Sequence, residues 1–149
     1  MYKRSLVPLE GSELAERAIP QATGLCPQDG EIILLQVIRL PLPVMTPDIG
    51  MTMPVVDMDD MVEEGMSYLN KWVAELAEQG FSAKSVVIEG DNVADTIVDY
   101  AKENDISLIV KSTHGRGGLS RLVFGSVAEG VMRQAPCPVM FIRVAEEQA

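Results

Sequence analysis

The chain has 149 residues, with 12 Lys and Arg against 22 Asp and Glu, which gives a formal net charge of −10. Its length suits one domain, and a composition of 47% hydrophobic and 23% charged residues excludes wholesale disorder. The negative charge argues against a general nucleic-acid or anionic-membrane binder, and no apolar run is long enough to span a bilayer. Because the start of the chain has no secretory signal, we expect one soluble domain, residues 1–149, in the cytoplasm.

Five mostly apolar runs alternate with segments of helical period. Runs that stay apolar over their central residues are typical of strands covered on both faces, and they occupy residues 2–9, 31–38, 83–89, 106–112 and 138–143. Helices are predicted after Ser12, over residues 60–79, after Asn92 and after Gly125, with Pro20 as a local irregularity in the first. The order βαβαβαβαβ predicts an α/β fold, an open parallel sheet with helices on both faces.

Several side chains are predicted to lie in the interior. The apolar spacing of the helices turns one face of each toward the sheet, and the inward positions include Leu69, Leu76, Ile97, Val98, Val131 and Met132. Cys26 and Cys137 form no CxxC pair, so we expect two buried or partly buried thiols in a reducing compartment.

Residues 39–61 interrupt the alternation with four prolines and five methionines. A connection this long is often a lid or a contact surface, and methionine suits adaptable apolar contacts. Two interpretations stay open: a surface insertion loop that caps the following helix, and a site for an unknown protein partner. An acidic run at its end favours the positive end of a helix dipole, with a metal site as the lesser alternative; it comprises Asp57, Asp59, Asp60, Glu63 and Glu64.

Two loops follow strands at the edge where open parallel sheets bind ligands. One spans residues 8–12, and the other spans residues 112–118, closely followed by Gly125 and Ser126. Glycines at 115, 117 and 118 let backbone N–H groups converge on an anion, and the start of the last helix offers further N–H groups. The phosphate signatures GxxxxGK[ST] and GxGxxG are both absent from the sequence.

Basic residues are concentrated in the same region. Residues 111–134 carry a balance of +3, whereas the rest of the chain sums to −13. The charged residues of this segment are Lys111, Arg116, Arg121 and Arg133, against Glu129. The pattern supports an anion site, and pairing of Arg116 and Arg121 with acidic helices is the alternative.

Two polar residues of this region have competing roles. Ser126 and Glu129 match the capping box, so the Ser126 hydroxyl is predicted to cap the last helix in the free protein and to donate to a phosphate in the complex. His114 is the only histidine, and the sequence identifies no partner that would orient it as a base. We therefore expect His114 to shape the loop or to donate a hydrogen bond. The sequence contains neither a hydrolase elbow nor a His/Cys metal cluster.

Four segments together make the chain resemble the universal stress protein family over essentially its whole length. They are LVPLEGSELAERAIP, IILLQVI, GDNVADTIVDYAKENDISLIV and THGRGGLSRLVFGSVAEGVMRQAPCPVMFIR. The resemblance implies a five-stranded parallel sheet in the order 3-2-1-4-5. Nucleotide-binding members carry Gly-x2-Gly-x9-Gly-Ser/Thr, and residues 112–126 match its last three fixed positions, with Ser112 at the first. The usual aspartate after strand one is Glu10 here.

By this resemblance, the ligand is ATP or another adenine nucleotide, alone or with Mg²⁺. The backbone of residues 112–118 and 126–127 would wrap its phosphates and ribose, and Val37 would lie beside the adenine. The ligand-binding residues implied are Pro8, Glu10, Val37, Ser112, Thr113, His114, Gly115, Arg116, Gly117, Gly118, Gly125, Ser126 and Val127.

Three functions are compatible with these observations. The first is an ATP-binding stress-response module that is homodimeric through its last strand (Val139 to Val144), as the resemblance implies. The second is an interaction protein without nucleotide affinity that works through residues 39–61 and its dimer surface. The third is a slow ATPase, which needs a positioned nucleophile and a base that the sequence does not identify, so we favour a protein that is not an enzyme.

Overall fold

All five apolar runs form strands of one parallel sheet in the computed structural model, which describes residues 1–113 and 125–143. Its strands are β1 (Arg4–Pro8), β2 (Glu31–Ile38), β5 (Ser82–Glu89), β6 (Leu108–Ser112) and β7 (Val139–Ile142), and a separate hairpin contains β3 (Val44–Thr46) and β4 (Gly50–Thr52). The helices are α1 (Glu13–Glu16), α2 (Ala18–Leu25), α3 (Met58–Glu78), α4 (Val93–Glu103) and α5 (Ser126–Gln134). The order β5-β2-β1-β6-β7 is 3-2-1-4-5 when only the sheet strands are counted, so the predicted fold is confirmed.

The central strands β1, β2 and β6 are buried from both sides. Successive side chains of a strand point to opposite faces, so each strand contributes to two apolar clusters. One cluster lies under α1, α2 and α3 and includes Val7, Leu34 and Val110. The other lies under α4 and α5 and includes Leu6 and Ile33. Burial on both faces explains why these strands are continuous apolar runs in the sequence.

The first predicted helix is interrupted at Arg17, which separates α1 from α2. A proline ring clashes with the carbonyl of the residue four positions earlier, here Glu16, so a continuous helix through Pro20 is disfavoured. Pro20 lies instead in the first turn of α2, where its missing N–H costs no intrahelical hydrogen bond. The predicted irregularity is therefore confirmed, and the break itself lies at Arg17.

Most of the inward helix positions are confirmed. Leu69, Leu76, Ile97, Val98 and Val131 are all almost completely buried. The prediction is wrong for Met132, whose side chain is 49% exposed. Each residue turns the helix by about 100°, and the buried face of α5 runs through Ala128 and Val131, which leaves Met132 on its flank.

The segment predicted as an insertion loop contains the β3–β4 hairpin. The two strands pair antiparallel, with Met45 opposite Met51, and they form a sheet of their own. At the end of the segment the Asp57 carboxylate accepts a hydrogen bond from the N–H of Asp59 at 3.0 Å and caps α3. The acidic run therefore lies at a helix start, as predicted, and α3 begins two residues earlier than the predicted residue 60.

Candidate functional site

A cavity of about 230 Å³ lies at the carboxyl ends of β1, β2 and β6, beside the first turns of α4 and α5. Strand and helix residues contribute apolar side chains, and the loops contribute polar groups and backbone. The lining residues are Pro8, Leu9, Glu10, Leu35, Val37, Val93, Ile97, Lys111, Thr113, Gly125, Ser126, Val127 and Ala128. This is the edge at which open parallel sheets bind ligands.

Seven of the thirteen residues predicted to bind the ligand are brought together on this lining. They are Pro8, Glu10, Val37, Thr113, Gly125, Ser126 and Val127. Ser112 is only 1% exposed and does not belong to the described lining. His114, Gly115, Arg116, Gly117 and Gly118 lie outside the described residues, as does Arg121. The ligand-binding role of all thirteen stays a prediction.

Lys111 is a lining residue that was not assigned to the site from the sequence. In the sequence it lies in a predicted buried strand and contributes only to the charge balance of residues 111–134. It follows Ile109 by two residues, so both side chains point to the face of the sheet covered by α4 and α5. Strand alternation was the signal that could have identified Lys111. For Val93 and Ile97 the signal was helical spacing, because residues four positions apart lie on one face of α4.

Glu10 is held by the first turn of α1. The Ser12 hydroxyl donates a hydrogen bond to the Glu10 carboxylate and accepts one from the N–H of Ala15 at 3.2 Å. Gly11, between them, has a φ of 92°, in the left-handed region that glycine adopts without a steric penalty. This turn directs the carboxylate to the cavity lining and at the same time completes the helix start.

α5 begins at Gly125 without a side-chain cap. The N–H of Gly125 donates to the carbonyl of Thr113 at 3.3 Å, and the N–H of Thr113 donates to the carbonyl of Ile142 at 3.1 Å. These bonds fix the helix start against the ends of β6 and β7. N–H groups in a first helical turn have no intrahelical acceptor and form the positive end of the helix dipole. A positively polarised helix start that no described side chain caps therefore borders the cavity.

The predicted capping box is wrong. Gly125 is the N-cap, so Ser126 is the first helical residue, and its side chain is exposed. Glu129 does not reach back to the helix start, because its carboxylate accepts a hydrogen bond from the Arg133 guanidinium at 2.6 Å. A capping box requires its serine at the N-cap, and here the helix starts one residue too early for that pattern.

Glu10 and Lys111 are the only charged side chains among the described lining residues. Burial lowers the pKa of the Lys111 ammonium group, while the negative charge of Glu10 acts in the opposite direction. Within residues 1–113 and 125–143, Lys111 forms no ion pair. The cavity thus contains a partly desolvated cation and a positive helix end against a single carboxylate.

The thiols, the possible metal ligands and the helices of the described residues do not meet what reactive, metal-binding or membrane-spanning segments require. Cys26 and Cys137 are free and half-buried, as predicted, and burial raises the pKa of both thiols, which keeps them protonated near neutral pH. In the same residues no three His, Cys, Asp or Glu side chains are grouped so as to hold a metal ion. None of the helices described is long and apolar enough to traverse a bilayer.

Comparison with known proteins identifies the family. The profile of the universal stress protein family matches residues 1–143, so the chain belongs to that family. The universal stress protein MJ0531 of Methanocaldococcus jannaschii is 31% identical over 150 residues, which cover 99% of this chain and 86% of that protein. A universal stress protein of Methanothermobacter thermautotrophicus is 32% identical over 146 residues, with 96% and 97% covered.

Solved structures have the same fold. The structure of MJ0577, also from Methanocaldococcus jannaschii, superposes with a TM-score of 0.78 at 24% identity, with 99% of both chains covered. A universal stress protein solved in complex with cAMP superposes with a TM-score of 0.63 at 17% identity, covering 95% of this chain and 97% of that one. These structural similarities support the α/β fold with an open parallel sheet, which is Rossmann-like.

Proposed function

We propose that this universal stress protein binds ATP, alone or with Mg²⁺, and acts in the cytoplasm as a regulatory module. The observation that carries the proposal is the cavity at the carboxyl edge of the sheet, because it combines an open helix start with an apolar wall. The structural relative solved with cAMP indicates that this fold accommodates an adenine nucleotide in at least one other protein.

Each part of the cavity suits one part of the nucleotide. The N–H groups of Ser126 and Val127, in the uncapped first turn of α5, are suited to phosphate oxygens. Val37 and the other apolar residues of the β2 end offer a surface for the adenine. Glu10, already oriented by Ser12, offers a carboxylate that can accept hydrogen bonds from ribose hydroxyls.

Isothermal titration with Mg-ATP tests the proposal. Val37→Trp places a large ring in the cavity and should weaken binding at least tenfold, about 1.4 kcal/mol. Ala74→Trp is the matched control, because Ala74 is exposed on α3 and belongs neither to the cavity lining nor to residues 39–57. Absence of both heat and competition at millimolar ATP in the wild-type protein would remove the proposal. Thermal denaturation of both variants verifies that they are folded.

The homodimer is also a proposal, and it is supported by the outer edge of β7, which pairs with no other strand in residues 1–113 and 125–143. β7 is a terminal strand of the sheet and pairs with β6 on one side. The segment predicted to form the dimer contact is Val139 to Val144, and its last residue lies outside the described residues. Backbone groups of Pro138 and Ile142 bond to the β6 side, so the Val139 N–H points to the open edge. Val139→Pro removes that donor, and light scattering should then record a monomer where the wild-type protein is a dimer.

A second candidate function, self-assembly through the exposed 39–57 segment, rests on its apolar surface. Nine of its large apolar side chains are 39% to 104% exposed: Leu40, Leu42, Val44, Met45, Ile49, Met51, Met53, Val55 and Val56. Weighted by these exposed fractions, the nine side chains amount to about six fully exposed ones, so at about 1.5–3 kcal/mol per side chain and 25 cal/mol per Å² they offer roughly 350–700 Å² of apolar surface. A standard interface buries about 800 Å² per partner, of which somewhat more than half is apolar.

The occupant we propose for this segment is a second copy of the chain. The segment carries only Arg39, Asp48 and Asp57 as charges, so two copies can meet there without the repulsion expected elsewhere on a molecule of net charge −10. Met45→Lys combined with Met51→Glu keeps a favourable cross-strand pair but removes apolar surface. If this segment rather than β7 forms the contact between copies, sedimentation should detect an assembly in Val139→Pro and its loss in this double variant. Identical sedimentation of this double variant and the wild-type protein would contradict self-association through the segment.

A further inference from the structure

Lys111 occupies an unusual position for a lysine. It lies near the end of a central strand whose preceding residues Leu108, Ile109 and Val110 are at most 2% exposed. An apolar side chain at this position would continue the buried run and complete an uncharged cavity wall. The lysine instead introduces an ammonium group among the residues that line the cavity.

The charges near Lys111 do not neutralise the cavity. Glu10, from the loop after β1, is the one charged neighbour on the described lining, and its carboxylate already accepts a hydrogen bond from Ser12. On α5, Glu129 is paired with Arg133, and on α4, Asp95 accepts a hydrogen bond from Gln134 at 3.3 Å. Neither Glu129 nor Asp95 belongs to the cavity lining.

The start of α5 adds a second positive feature to the cavity. The first turn of α5, at Gly125 to Val127, lines the cavity on the face toward which the Lys111 side chain points. Two positive features, an ammonium group and an uncapped helix end, are therefore placed together against one carboxylate that also serves as a hydrogen-bond acceptor within the α1 turn. An anionic ligand group in the cavity could pair with the ammonium group and with the helix start at once.

We propose that Lys111 determines the ligand class of this cavity, by pairing with the phosphates of a nucleotide so that phosphorylated nucleosides bind and uncharged nucleosides are discriminated against. This inference rests on the proposed nucleotide function and adds a residue and a selectivity to it. The pairing is charge-assisted, and such a bond is stronger in a partly desolvated site than on the surface.

The test compares ATP, adenosine and inorganic tripolyphosphate as titrants of the wild-type protein, Lys111→Met and Lys111→Arg. Methionine keeps the length of the side chain and removes its charge, whereas arginine keeps the charge. We expect Lys111→Met to weaken ATP and tripolyphosphate binding by roughly 10- to 100-fold, to leave adenosine binding unchanged, and to reduce the salt dependence of ATP affinity. Lys111→Arg should retain most of the ATP affinity.

The three titrants separate failure of this inference from failure of the nucleotide proposal. If wild-type protein binds ATP and Lys111→Met binds ATP equally well, the phosphates lie elsewhere and the inference is overturned. An equal loss for ATP and adenosine would also overturn it, since the lysine would then act through shape alone. If no adenine compound binds, the nucleotide proposal fails, and tripolyphosphate binding still decides whether Lys111 attracts phosphates. Loss of tripolyphosphate binding in Lys111→Met supports the attraction of Lys111 for phosphates. Equal binding of tripolyphosphate by the wild-type protein and Lys111→Met, or binding by neither, overturns it.

Discussion

Helices α1 and α5 both begin at the carboxyl edge of the sheet, but their first turns are completed in different ways. Ser12 caps α1 by accepting from the N–H of Ala15, whereas α5 begins at Gly125 with no side-chain cap. The other long helices that follow loops resemble α1, because Asp57 caps α3 and Asn92 caps α4. Among the helices that follow loops in the described part of the chain, α5 is the one without a side-chain cap, and its first turn lines the cavity.

This difference separates a structural helix start from one available to a ligand. At α1 the Ser12 hydroxyl bonds to both the Ala15 N–H and the Glu10 carboxylate, so this helix start is completed within the chain. At α5 no side chain of residues 1–113 or 125–143 caps the first-turn N–H groups, which leaves them for an acceptor from outside the helix. Adding a cap to α5 should therefore lower ligand affinity without lowering stability. Removing the cap of α1 should lower the stability of the fold.

The largest expected effect comes from adding a cap to α5. Gly125 has φ −61° and ψ 159°, the backbone geometry of an N-cap serine, and an added Cβ would meet only the Thr113 carbonyl among the described residues, at 3.6 Å. In Gly125→Ser the new hydroxyl should accept from the first turn and compete with phosphate. We expect ATP affinity to fall by about 2 kcal/mol, roughly thirtyfold, while the free energy of unfolding rises by a few tenths of a kcal/mol.

Titration calorimetry and urea denaturation of the same preparation measure both changes. A loss of ATP affinity accompanied by a loss of stability would indicate a damaged helix rather than competition for its N–H groups. Unchanged ATP affinity would mean that the start of α5 is not a phosphate site, and the comparison between α1 and α5 would lose its functional meaning.

Removing the cap of α1 should produce the next largest effect. Ser12→Ala deletes the acceptor for the Ala15 N–H and the donor to the Glu10 carboxylate. We expect a loss of about 1.5 kcal/mol in the free energy of unfolding, toward the upper part of the range for cap deletions, because two interactions disappear together. Urea denaturation measures it, and Ser12→Thr, which keeps the hydroxyl, should recover most of the loss.

Asn92→Ala provides a milder version of the same experiment next to the cavity. The Asn92 side chain accepts from the N–H of Asp95 at 3.0 Å, and Asn92 is not a lining residue, although Val93 follows it directly. We expect a loss of about 1 kcal/mol, or 2–4 °C in Tm for a domain of this size, with unchanged ATP affinity. A parallel loss of ATP affinity would contradict the distinction between structural and ligand-facing helix starts.

The strands were predictable where burial on both faces produces an unbroken apolar run in the sequence. β2 has the bounds predicted from its apolar run, because a strand covered on both faces needs apolar residues throughout. Asn92 was predicted as the start of a helix and caps it. The β3–β4 hairpin could not be predicted in the same way, since its strands have three residues each and lie between prolines, with no buried face to impose a pattern.

The site was predictable in part, for a physical reason that concerns individual residues. Glu10 and Gly125 follow or precede recognisable elements, so the topology alone places them at one edge of the sheet. The capping box predicted at Ser126 was wrong because such a box requires the serine to be the N-cap itself. An error of one residue in the helix start is enough to invalidate it. To identify Lys111 as a lining residue, one must know to which face of the sheet its side chain points and which helices cover that face.

The smallest expected effect concerns the charge of Lys111 in the free protein. Burial lowers its pKa in the folded state, so the folded protein releases this proton at a lower pH than the unfolded chain does. Below the folded pKa the cost of burying the charge is fully present, and the stability of the wild-type protein rises relative to a neutral variant as pH increases toward the unfolded pKa. Lys111→Met should therefore have a higher Tm than wild type near pH 7, by less than the Asn92→Ala shift, and the difference should shrink toward alkaline pH.

Thermal denaturation from pH 7 to alkaline pH measures the difference between the two proteins at each pH. Lys102→Met, which removes an exposed lysine of α4, is the control for the loss of one positive charge from an acidic chain. If Lys111→Met melts below wild type at pH 7, the Glu10 carboxylate stabilises the ammonium group by more than burial destabilises it. The cavity would then be electrostatically satisfied without a ligand, and α5 alone would supply its attraction for anions.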